Sequence, residues 1–188
     1  RAPADPPFRL WKWAVIAFLL AAATGLLYRF GLLWGLPGGL TFGHVRHAHS
    51  HLMFFSWVTP ALMALIVHAL PPPESQSATS MRRQRRGGVE IAGGALALGL
   101  LAYPAFLLVG YEPIMLFGVT LPVASMLSGL SMIAWYAFGL WYLRATRGLV
   151  RTHAVRLWDG ALLLLALATI GAWGRALLQM TGVGYPLL

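Results

Sequence analysis

The sequence predicts an all-α integral membrane protein, a bundle of five transmembrane helices, and three observations lead to that expectation. The 188 residues are 59% hydrophobic and 10% charged, with a mean hydropathy of +0.70. A soluble domain is nearer half apolar and about a quarter charged. Apolar stretches recur at the length a helix needs, about 20 residues for a hydrocarbon core of roughly 30 Å. The basic residues crowd the ends of those stretches on one side.

The spans run in order. The first covers about 11–30 and the second about 51–70. A loop over 71–88 follows, in which Pro71-Pro72-Pro73 stops the helix and a polar run ends in Arg82-Arg83-Gln84-Arg85-Arg86. This loop is expected to be flexible and cytoplasmic. The third span covers about 89–111. The fourth lies within Pro113–Leu143, which holds 31 uncharged residues. Pro113, Gly118 and Pro122 predict an irregular approach before a helix over about 120–143. The fifth covers about 157–179. All 188 residues then form a single membrane domain without internal repeats.

Orientation follows from the basic residues. With the N-terminus inside, Arg1, Arg9, Lys12, Arg82, Arg83, Arg85, Arg86, Arg144, Arg147, Arg151 and Arg156 are cytoplasmic, eleven of the 14 Lys and Arg. Arg29, Arg46 and Arg175 fall outside. The positive-inside rule therefore predicts N-in, C-out, in the inner membrane of a prokaryote. The net charge of +9 then belongs to this asymmetry, and no nucleic-acid partner is expected. Ala21-Ala22-Ala23 after an apolar run is similar to a signal-peptide cleavage site, but the segment is expected to remain as a span. The apolar end, Tyr185-Pro186-Leu187-Leu188, suggests either further sequence or a covering partner.

The chain has no cysteine, which removes disulfides, Fe–S clusters and thiolate zinc sites. Any metal must be held by histidine, methionine, carboxylate or backbone. Four of the six histidines lie in eight residues, His44, His47, His49 and His51, where the second span meets the outer interface. One interfacial histidine is ordinarily a tolerated polar group. Four together point to function, because ionisable groups at membrane depth are costly. On a helix, His44, His47 and His51 fall within about 60° of one another, and Arg46, His49 and Met53 share the other side.

The two sides suit different chemistry. His47 and His51, spaced i,i+4, can chelate one metal ion, with Met115 or Met180 as a further ligand, and imidazole with thioether favours copper. His44 is about 10 Å from His51 along the axis, too far to join them on one ion. A neutral imidazole at His49 suits an axial haem position, with Arg46, Arg29 and Arg175 available to the propionates. Glu112 is the one carboxylate on the side of the histidines. Gly93, Gly94 and Gly99, and Ser125 with Gly129, read as close-packing faces. Asp159 is expected to pair with Arg156 or Arg144.

The stretch Phe42-Gly43-His44-Val45-Arg46-His47-Ala48-His49-Ser50-His51-Leu52-Met53-Phe54-Phe55 resembles the second helix of the catalytic subunit in the haem–copper oxidase superfamily. The similarity is closest to cbb-type oxidases and nitric oxide reductases, with their Phe-Gly…Arg-x-x-His pattern. Trp57, Pro60, Ala61, Leu62 and Met63 look like the apolar continuation. The resemblance implies that His49, preceded by Arg46, binds a low-spin haem, b-type, in a redox protein. His47-Ala48-His49 also resembles the His-x-His of the NnrS family, which has an acidic residue where this chain has Ser50.

The superfamily's other haem and metal ligands come from later helices with no counterpart here. His68 and His153 lie toward the inner side. A second axial ligand would be Met115 or Met180, or would come from a second copy or a further membrane subunit. The expected function is therefore a haem-binding redox protein acting within a larger oxidoreductase assembly. The alternative is a periplasm-facing copper-binding or copper-delivery protein.

Overall fold

The computed structural model describes the backbone of residues 6–71 and 77–180, with side chains over 8–71, 77 and 79–174. Six α-helices are present among them: α1 Pro6–Trp34, α2 Phe42–His51, α3 Thr59–Ala69, α4 Ala78–Val109, α5 Val123–Ala145 and α6 His153–Met180. A π-helical segment, Leu52–Val58, joins α2 to α3, so these three pieces form one span, Phe42–Ala69. Five helices are thus long and apolar enough to cross a membrane. They expose Leu26, Leu33, Leu108 and Leu140, the inside-out pattern of helices solvated by lipid.

Residues 1–147 and 148–188 form two compact units. In the first, the second span lies against both α1 and α4, and α4 packs along α5. Its contact with α1 combines the ring pair of Phe18 and Trp57, 4.2 Å apart, with small side chains. Ala14, Ala17, Ala21 and Thr24 are buried at i, i+3 and i+4 spacing, a stripe that lets two backbones approach closely. Thr24 Oγ1 donates to the Leu20 carbonyl (2.8 Å) and so receives the Tyr103 hydroxyl of α4 (2.9 Å). Ala48, Ala102, Phe106 and Ala124 form a buried cluster where α2, α4 and α5 meet.

The histidines lie inside a helix. The second span was expected from about residue 51, but its helix starts at Phe42, nine residues earlier. Thr41 caps it by accepting the His44 N–H (3.2 Å), which satisfies a donor left free by the first turn. Further along, Thr59 N–H bonds to the Phe54 carbonyl, five residues back. That wide turn precedes Pro60, which has no N–H and whose ring crowds the carbonyl four residues before it. Widening the helix there relieves the crowding.

The flexible loop expected over 71–88 is shorter. Residues 72–76 lie outside the described residues, but α4 begins at Ala78, with Ser77 Oγ accepting the Ser80 N–H (3.3 Å). Arg82–Arg86 is therefore helical. Arginine and glutamine are good helix formers, and the turn is tied down. Gln84 Nε2 donates to the Ala145 carbonyl (3.2 Å), Trp141 Nε1 donates to the Gln84 carbonyl (3.0 Å), and Arg85 donates to the Leu70 carbonyl (2.9 Å). Gly99 receives Ser56 and Phe55 as a close-packing position, whereas Gly93 and Gly94 have open space where a Cβ would stand.

The irregular approach to α5 is a β-hairpin. Strands β1, Ile114–Leu116, and β2, Val119–Leu121, pair antiparallel around Phe117-Gly118. In the second unit, α6 starts just after Thr152, and Asp159 accepts from Arg151 Nη1 (3.2 Å).

Candidate functional site

The two faces of α2 meet different walls. On one, His49 turns toward α1. Its Nδ1 lies 2.8 Å from the Ala21 carbonyl oxygen. A carbonyl only accepts, so this bond places the proton on Nδ1 and leaves Nε2 as the ring's lone-pair nitrogen. The ring also lies over Gly25. A Cβ there would stand 2.9 Å from His49 Cε1 and 3.2 Å from Nδ1, so the ring would have to shift. Only glycine leaves room for this ring position.

On the opposite face, His44, His47 and His51 meet α4 and its C-terminal end. The His44 ring lies against Gly110, which has φ +63° and would clash with it if it carried a Cβ. His47 meets Tyr111 edge to face, with centroids 4.8 Å apart. His51 is buried, stacked on Phe106 at 3.8 Å and 14°, and tilted against Phe55 at 4.6 Å. Its Nδ1 has no hydrogen-bond partner among the described residues. Ser56 Oγ and Trp135 Nε1 are likewise buried and unpartnered.

Arg46 and Arg29 are both exposed. Arg46 stands three residues, or about 4.5 Å of helix rise, from His49 toward the start of α2. Arg29 lies on α1 beside Tyr28, whose ring meets Phe42 edge to face at 5.7 Å, so it too is nearer the start of α2 than His49 is. Met115 is 76% exposed on β1, and its thioether is not buried with the histidines. The side chains of Arg175 and Met180 lie outside the described residues. No group of three or more histidine or carboxylate side chains converges as a metal site among the described residues.

The arrangement therefore separates one imidazole from three. His49 is held by a fixed acceptor and has a defined lone pair, as metal-bound histidines do when their other ring nitrogen is hydrogen-bonded. The other three rings lie against Gly110, Tyr111, Phe106 and Phe55. The residues that single out His49, Ala21 and Gly25, were not identified as site residues from sequence. The spacing of Ala17, Ala21 and Gly25 along α1 carried the signal, a small-residue stripe that marks where another helix comes close. Comparison with protein-family models, curated proteins and solved structures finds no match to this chain.

Proposed function

We propose that this chain is a haem-binding redox protein of the membrane, similar to the N-terminal helices of a haem–copper oxidase or nitric oxide reductase subunit. His49 Nε2 would hold the haem iron at the outer end of the second span. The observation that carries the reading is the His49 Nδ1–Ala21 hydrogen bond over Gly25. It orients the ring and selects the tautomer. Arg46 and Arg29, both nearer the outer end than His49, supply cationic groups for propionates. A bound b-type haem would supply one-electron transfer between ferric and ferrous iron. The residues of this chain would hold and orient it, with a further ligand from Met115 or Met180, a second copy or a further membrane subunit.

The protein sits in a prokaryotic inner membrane with its N-terminus in the cytoplasm, a reading that rests on the eleven-to-three charge division. Arg83 is exposed on α4 and the chain has no cysteine, so Arg83→Cys gives a unique label site. An impermeant thiol reagent added outside intact cells should leave it unlabelled, and ready labelling would reverse the orientation.

A second reading, a periplasm-facing copper-binding or copper-delivery protein, draws on the unpartnered Nδ1 of His51, one turn from His47. The absorption spectrum and metal content of the purified protein separate the two. A Soret band is expected, and copper without haem would favour the second reading.

A further inference from the structure

The hairpin between α4 and α5 holds Met115, whose side chain is exposed. Six of its eight residues, Ile114, Met115, Leu116, Val119, Leu121 and Phe117, are apolar, and Thr120 is its only polar side chain. Cross-strand pairing puts Ile114, Leu116, Val119 and Leu121 on one face and Met115 with Thr120 on the other. A hairpin lying on a protein in water alternates apolar with polar residues. Here Leu116, Val119, Met115 and Phe117 are all exposed, Phe117 at 102%.

The turn adds an independent observation. Phe117 has φ +51° and Gly118 φ +79°, the two positive angles of a tight hairpin turn that favours Asn-Gly. Phe117 is the one non-glycine residue with positive φ among the described residues. A phenylalanine held in a strained conformation, with its ring fully exposed, is not explained by packing among the described residues.

We propose that the β1–β2 hairpin is a membrane-interface anchor, with Phe117 and Met115 seated in lipid at the boundary of the bilayer. Lipid is the occupant because the hairpin continues a lipid-facing surface. It joins the end of α4, where Leu101 and Leu108 are exposed, to the start of α5, where Met126 and Leu130 are exposed. Strands of three residues reach only about 10 Å, so the tip cannot leave the interfacial zone. No charged side chain lies between Glu112 and Arg144 to hold it in water. Aromatic rings are favoured at this depth, and lipid contact offsets the turn strain.

The experiment uses the full chain in lipid nanodiscs, where both faces are open to solution. Thr120→Cys, exposed on the hairpin, is labelled with an environment-sensitive fluorophore beside an intact Phe117. Blue-shifted emission, quenched by nitroxide-bearing lipid and spared by iodide, is expected. Quenching by iodide alone would place the hairpin in water and overturn the proposal. Protection from both quenchers would mean that protein covers it, whether a second copy or the C-terminal residues, and would overturn it equally. Phe117→Asn keeps the turn, since asparagine accepts positive φ, and should move the label from lipid to iodide quenching. Lipid quenching left unchanged by that substitution would remove Phe117 from the anchoring role.

Discussion

His49 and His51 are two residues apart on one helix, yet they meet chemically opposite surroundings. His49 faces a carbonyl and a glycine on α1. His51 faces the rings of Phe106 and Phe55. The carbonyl uses one ring nitrogen and directs the other, so His49 keeps a lone pair that can bind metal. The aromatic wall uses the flat face of His51 and gives its Nδ1 no partner. Stacking contributes about 0.5–1.5 kcal/mol, whereas an unsatisfied buried polar group costs about 1–3 kcal/mol. The neighbouring helix, more than the residue type, sets what each imidazole can do.

The largest expected effect tests that difference directly. His49→Ala should abolish the Soret band of the purified protein, and His51→Ala should keep it. A reversed ranking would transfer the site to the α4 face. The next effect is on the support of His49. Gly25→Ala puts a methyl group into the space its ring occupies, and should weaken haem retention about 10–100-fold, as loss of a metal ligand's positioning contacts does. Unchanged haem affinity in that variant would show that the ring position is incidental.

A smaller effect is expected at His51. His51→Phe retains the ring stack and removes the unpartnered nitrogen, so thermal unfolding in detergent should show a gain of about 1 kcal/mol with haem content unaltered. Loss of bound copper in this variant would instead support the second reading. The smallest effect belongs to the exposed arginine. Arg46→Gln should weaken haem retention by roughly fivefold or less, because exposed charge pairs contribute little. A complete loss of haem would mean that Arg46 does more than pair with a propionate.

What the amino-acid sequence determined by itself was the part governed by solvent and periodicity. Apolar runs of membrane length do not depend on their neighbours, so the five helices were legible. So was the division of the histidine cluster into two faces, since 100° per residue follows from the helix alone. Three features were decided only by tertiary structure. Arg82–Arg86 is helical because Gln84 and Arg85 bond to the ends of α5 and α3, contacts between segments far apart in sequence. Residues 114–121 fold back as a hairpin because their strands pair with each other, which an apolar run with Pro and Gly does not specify. His49 differs from its neighbours because Ala21 offers a carbonyl and Gly25 offers space. Those two residues read as ordinary small positions until α1 is laid against α2, since a hydrogen bond between helices depends on where two backbones meet.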